Sequence, residues 1–168
     1  MIGKSQLSNT NKLIKYYKGA TGLKTGSTGL ALYNLSASAT RDNLSLIAVI
    51  MKAPSTKVRF AEAQKLLDYG FNSFSFKELG KKDDVVKTLN VNKGIKSSVE
   101  AVLSDNVGTL LEKGKDKNIE QIVDIPDEIS APVTAGQKLG EVNFSVNGNV
   151  IAKVDVVAKN TIEKTNLF

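Results

Sequence analysis

Gly22-Leu23-Lys24-Thr25-Gly26-Ser27-Thr28 reads as a strand broken up by two glycines. Glycine weakens a strand internally, but it lets another backbone approach closely. On an edge strand Lys24 and Gly26 point one way and Thr25 the other, unless a bulge intervenes. Lys24 supplies a compact positive charge with three donors. Thr25 offers a hydroxyl that can bond a carboxylate. Gly26 leaves room for an extended peptide to add alongside. A strand of this sort can also aim a backbone N–H at a developing oxyanion. Three common residues also fall together by chance on ordinary edge strands, so the neighbouring sequence has to decide the reading.

Upstream, residues 1–18 are polar and Asn-rich and read as a loop or lead-in. Downstream, Ala31 to Thr40 and Leu44 to Met51 are two β-prone runs joined by Arg41-Asp42-Asn43. Their alternation suggests a hairpin with both faces mostly covered. Pro54-Ser55-Thr56 opens a helix with a hydroxyl at its N-cap. Phe60, Ala63, Leu67 and Phe71 form its apolar stripe, Leu66 lies beside it, and Gly70 is a natural stop.

After about Phe74 the pattern changes. Lys77 to Asp84 is polar and reads as a junction. Short alternating runs follow: Val85–Leu89, Ile95–Val102, Thr109–Leu111, Ile119–Ile125, Val142–Val146 and Val150–Val157. Asn147-Gly148 between the last two is the strongest hairpin signal in the chain. The expected fold class is α+β. A partial domain of antiparallel strands plus a helix spans 1–74, and a small all-β, sandwich-like domain spans 75–168.

Composition narrows the chemistry. The 168 residues contain no cysteine and no histidine, which excludes disulfides, Cys/His zinc sites and any His-based triad. No apolar run is long enough to span a membrane, and no signal region opens the chain. The net charge of +6 comes mostly from lysines dispersed along the sequence and reads as a solvated surface. Aromatic residues sit mostly on apolar faces without a basic cluster between them, which argues against a nucleic-acid binder.

The neighbouring sequence then points to a family. Asn9-Thr10-Asn11-Lys12-Leu13, Tyr17 to Thr28, Leu35 to Arg41 with Leu46-Ile47-Ala48-Val49, Ala53-Pro54-Ser55, Arg59 and Leu66 to Phe71 follow one another in an order that resembles the serine-type D-alanyl-D-alanine carboxypeptidases, the low-molecular-mass penicillin-binding proteins. Lys-Thr-Gly is one of three sequence marks of such serine enzymes. Ala131-Pro132-Val133, Gly136-Gln137, Gly140 and the Asn147-Gly148 hairpin resemble the family's C-terminal domain. The resemblance implies the partial transpeptidase, β-lactamase-like domain followed by the β domain. It implies that Lys24 is catalytic and that Lys24, Thr25, Gly26 and Ser27 bind substrate, the terminal carboxylate of a D-Ala-D-Ala stem peptide or of a β-lactam. By resemblance Ser27 gives an oxyanion-hole N–H. Arg59 supports carboxylate recognition or is a solvent-exposed helix arginine. No cofactor or metal is implied.

The sequence departs from the family in one large respect. No Ser-x-x-Lys occurs in these residues. Ser104-Asp105-Asn106 spells the second family motif in the wrong place, in the β domain, and reads as a turn. Without a serine nucleophile there is no acyl-enzyme, and the chain alone is expected to be inactive. It reads as a C-terminal fragment of an extracytoplasmic cell-wall enzyme, whose membrane contact would come through an amphipathic anchor expected just beyond Phe168. The alternative is a non-catalytic module binding the cell wall or a protein. Ala131 to Gly140 also resembles the turn region of lipoyl and biotinyl carrier domains, but no exposed-lysine turn follows, which discounts a carrier. The strand Leu44 to Met51 would present an unpaired apolar edge, so self-association is expected.

Overall fold

In the computed structural model residues 9–166 are described, and the chain divides into two compact units, Met1–Phe76 and Lys77–Phe168. In the first unit a one-turn helix α1 (Leu13–Tyr16) leads into β1 (Ala20–Thr28), β2 (Leu32–Arg41), β3 (Leu44–Ala53) and the long helix α2 (Thr56–Ser73). The strands form an antiparallel sheet in the order β1-β2-β3. Asp42 and Asn43 close the second hairpin with φ of 48° and 62°. Both values suit the two-residue turn whose twist matches its flanking strands.

One face of the sheet is covered. Leu35, Ala37 and Ala39 of β2 and Leu44 and Ala48 of β3 pack with Phe60, Ala63, Leu67 and Phe71 of α2. The alanines let the helix come close, and the apolar stripe spaced at three and four residues supplies the bulk. The other face is open among the described residues: Ile47, Val49 and Met51 are 67 %, 60 % and 78 % exposed. The expectation of a hairpin covered on both faces is therefore corrected. Apolar residues do alternate on both faces of β3, but α2 packs on only one of them.

Helix α2 starts as its sequence predicts. Ser55 is extended, and its hydroxyl accepts from the Val58 N–H at 3.2 Å. Such a cap contributes about 1 kcal/mol. Gly70 does not stop the helix, which runs on to Ser73. Gly70 is buried instead, and a Cβ there would stand 2.5 Å from Cδ1 of Leu46. The glycine makes room for the sheet; it does not break the helix.

Residues 9–18 are not a plain loop either, while residues 1–8 of the expected lead-in lie outside the described residues. Leu13 is fully buried and Tyr17 nearly so. The Asn11 side-chain oxygen accepts from the Leu13 N–H at 3.2 Å. Tyr17 donates its hydroxyl to Asp68 on α2 at 2.6 Å, and the Arg41 guanidinium stacks on the rings of Tyr17 and Phe71. Burial first, and then the bond to Asp68, push the Tyr17 phenol up to about 12.

The second unit is all-β. The first half of the run read as a polar junction, Lys77 to Gly80, belongs to a strand, β4 (Phe74–Gly80), which begins at the end of the first unit. It pairs with β7 (Val107–Glu112). A six-stranded sheet has the order β8-β10-β11-β6-β5-β9, built from β5 (Val85–Asn92), β6 (Ser98–Leu103), β8 (Ile119–Asp124), β9 (Glu128–Ser130), β10 (Lys138–Val146) and β11 (Asn149–Ala158). Its core includes Leu89, Val99, Ala101, Val142, Phe144 and Val156, joined by Leu79 of β4 and Val107 of β7. The sequence did not announce β9, whose three residues pair in parallel with Asn90 to Asn92. Ile95, read as a strand start, is 60 % exposed and precedes β6. Asn147 and Gly148 form the β10–β11 turn with φ of 51° and 78°. Ser104-Asp105-Asn106 lies in the connection from β6 to β7, where Asn106 accepts from the Lys82 N–H at 2.9 Å.

Candidate active site

Lys24, Thr25, Gly26 and Ser27 all lie on β1, an outer strand of the first unit's sheet. Opposite them on β2 stand Ser36, Leu35, Asn34 and Tyr33 in turn. Residues paired across a sheet share a face. Thr25 thus shares the covered face with buried Leu35, and Lys24 shares the open face with Ser36, whose partner on β3 is Val49. The alternation read from the sequence holds at this point.

Each polar group on the strand has an identifiable environment. Lys24 is exposed, and its ammonium donates to the Thr25 carbonyl at 3.1 Å. No carboxylate pairs with it among the described residues, so its charge is uncompensated. The Thr25 hydroxyl is bonded to the Thr10 hydroxyl at 2.6 Å. Thr28 accepts from the Ala31 N–H at 3.0 Å and tightens the turn that ends β1.

Arg59 is not the solvent-exposed helix arginine that one of its two sequence readings expects. It is buried on α2, and its guanidinium donates to the carbonyls of Gly26 at 3.4 Å and Asn34 at 3.3 Å. It also lies near the Tyr33 and Phe60 rings. A planar fork with several donors can span two strands in this way. Its Nε has no partner among the described residues.

Sequence reasoning gave no role to two residues that the structure brings to this strand. Nothing in the residue type of Thr10 marks it as the partner of Thr25. Asn34 supplies its carbonyl to Arg59, and its side-chain oxygen accepts from the Lys52 N–H at 2.8 Å. That bond bridges a register shift between Tyr33 and Leu35, where Lys52 has a φ of 56°.

An antiparallel three-stranded sheet backed by one helix, with a Lys-Thr-Gly outer strand, followed by an all-β unit, defines the class: the C-terminal portion of a penicillin-binding, serine-type peptidase fold. Comparison with known proteins agrees. The family profile of the penicillin-binding protein 5 C-terminal domain matches residues 74–164, and that of D-alanyl-D-alanine carboxypeptidase matches residues 2–55. The chain belongs to the low-molecular-mass penicillin-binding protein family and corresponds to its C-terminal part.

Among the relatives, D-alanyl-D-alanine carboxypeptidase DacF of Bacillus subtilis is 39 % identical over 163 residues, covering 96 % of this chain and 42 % of the relative. DacC of Escherichia coli is 31 % identical over 169 residues, covering 99 % of this chain and 42 % of the relative. Penicillin-binding protein 5 from Haemophilus influenzae superposes with a TM-score of 0.74 at 30 % identity, over 91 % of this chain and 45 % of that one. The chain thus spans less than half the length of the relatives it matches.

Proposed function

We propose that this chain is the C-terminal part of a serine-type D-alanyl-D-alanine carboxypeptidase that trims peptidoglycan stem peptides outside the cytoplasm. One observation carries the reading: Lys24 stands uncompensated on the open face of an outer strand, beside Thr25 and Gly26. A peptide ending in D-Ala-D-Ala can add to the free edge of β1 by backbone hydrogen bonds. Its terminal carboxylate then meets the Lys24 ammonium on the open face, while the N–H of Ser27 faces the developing oxyanion. Thr25, bonded to Thr10 on the covered face, holds the strand in place for that contact. Arg59 contributes by holding the Gly26 carbonyl and so fixing the strand.

Chemistry needs a nucleophile, and these residues contain no Ser-x-x-Lys. The chain alone therefore binds without acylating. Incubation with fluorescent penicillin tests this: no adduct surviving denaturation is expected, and a stable adduct overturns the argument from the missing serine. In a longer chain that supplies the nucleophile, Lys24→Ala should slow penicillin acylation by about 100-fold, the loss typical of one charge-stabilising donor. Unchanged acylation would remove Lys24 from the site.

A further inference from the structure

The lysines are dispersed along the sequence, but the charge is not shared between the two units. Met1–Phe76 holds ten lysines and arginines against three acids, a net +7, whereas Lys77–Phe168 holds thirteen lysines against fourteen acids, a net −1. Two of the first unit's three acids are already engaged. Glu62 bonds Lys65 at 2.7 Å, and Asp68 takes the Tyr17 hydroxyl with Arg41 nearby.

A groove of about 480 Å³ opens between α1 and the N-terminal half of α2, lined chiefly by Lys12, Tyr16, Thr56, Lys57, Phe60 and Gln64. Positions 12 and 16 are one turn apart, and 57, 60 and 64 follow one another along one side of α2, so both elements turn a face to the groove. Lys12 and Lys57 form no ion pair among the described residues, and residues 1–8 contain no acid that could neutralise them. Phe60 is buried and gives the groove an apolar floor, while Tyr16 is 57 % exposed at its wall. Thr56 and Gln64 add uncharged donors and acceptors. Two ammonium groups with no counter-charge on one concave surface make a site for an anion.

We propose that this groove binds a phosphate carried on a small polyol, the repeat presented by a phosphodiester-linked polyol chain. Lysine binds phosphate as a point charge and needs no bidentate geometry. The Tyr16 ring can cover the polyol carbons, and Thr56 and Gln64 can meet its hydroxyls. The volume lies at the small-ligand end of the range for binding clefts. A flat bilayer cannot fill such a recess, which favours a soluble or polymeric phosphate over a lipid headgroup. The site lies on α1 and α2, not on β1, so it goes beyond the carboxypeptidase reading and stands or falls separately from it.

Titration of the isotope-labelled full chain with glycerol 3-phosphate, and then with poly(glycerol phosphate), tests the proposal by the amide signals. Saturable shifts confined to residues 12–17 and 56–64 are expected, with tighter binding of the polymer. The double variant Lys12→Gln/Lys57→Gln should weaken binding about tenfold or more. Lys81→Gln/Lys153→Gln in the second unit should leave it unchanged. Shifts that never saturate, that spread over all the lysines, or that ignore the Lys12/Lys57 pair overturn the proposal. So does co-sedimentation with phosphatidylglycerol vesicles without any response to the soluble phosphates. Should the double variant unfold, Tyr16→Ser replaces it, with the same weakening expected and unchanged affinity counting against the groove.

Discussion

Arg59 on α2 reaches through the first unit's core to the carbonyl oxygen of Gly26, 3.4 Å away on β1. The same nitrogen stands 3.3 Å from the Asn34 carbonyl on β2. A buried guanidinium thus ties the helix to the outer strand that carries Lys24 and Thr25. Arg59→Met removes a charged donor and leaves two carbonyls short of a partner, which costs about 2 kcal/mol. The expected result is a lower unfolding midpoint for the first unit, with the Gly26 and Asn34 signals most perturbed. Arg59→Lys should not restore it, because an ammonium lacks the planar fork. Full stability in Arg59→Met would show that the bonds carry no weight.

The first unit was legible in the sequence where local pattern and tertiary packing agree. The Ser55 cap, the stripe Phe60-Ala63-Leu67-Phe71 and the Asp42-Asn43 turn each signal their conformation locally, and each is found. Gly70 was misread because its burial depends on Leu46, twenty-four residues away, and helix-stop rules see only neighbours. The solvent-exposed reading of Arg59 fails for a similar reason. Its surroundings are two strand carbonyls that no spacing within α2 encodes. The placement of Lys24 to Ser27 together on one outer strand could be read because the motif is contiguous. The Thr10–Thr25 bond could not, since it joins two hydroxyls fifteen residues apart. The single turn at Leu13–Tyr16 is held by tertiary contacts of Leu13 and Tyr17, which composition cannot reveal.

Tyr17 makes the first unit's stability depend on alkaline pH. Its phenol titrates near 10 when unfolded and near 12 when folded, through burial and the bond it donates to Asp68. A raised folded value means the native state keeps its proton longer. The contribution is complete below pH 10 and is lost as pH rises toward 12. Chemical unfolding of wild type and Tyr17→Phe across pH 8–12 checks this. The wild type should lose stability more steeply above pH 10, and parallel profiles would contradict the assignment.

Gly140 sets the path of β10 in the second unit. A Cβ at this position would lie 2.0 Å from the Asp124 carbonyl oxygen, a backbone atom at the end of β8 that cannot rotate away. Gly140→Ala should therefore force the strands apart and destabilise the second unit by about 2 kcal/mol or more, at the upper end of ordinary overpacking costs. Amide exchange should speed up in residues 119–124, while the first unit's helix keeps its protection. A second unit of normal stability would mean that β8 shifts at little cost.

The open side of β3 carries the prediction of self-association. Leu44-Ser45-Leu46-Ile47-Ala48-Val49-Ile50-Met51 has no charge, proline or glycine in eight residues. Its partner in the sheet is β2, and its other edge is unpaired among the described residues. An uncharged, β-branched edge strand offers a template for another strand. The open face adds exposed Ile47, Val49 and Met51, so a second copy can satisfy backbone groups and bury apolar surface together. The chain should therefore form dimers or larger species whose population rises with concentration in light scattering. Val49→Lys puts a charge where an approaching copy must desolvate it, on a face already exposed, so folding should change by only about 0.5 kcal/mol. This variant should be monomeric where the wild type associates. A wild type that stays monomeric at high concentration rules out pairing at β3, and equal association by Val49→Lys places the contact elsewhere.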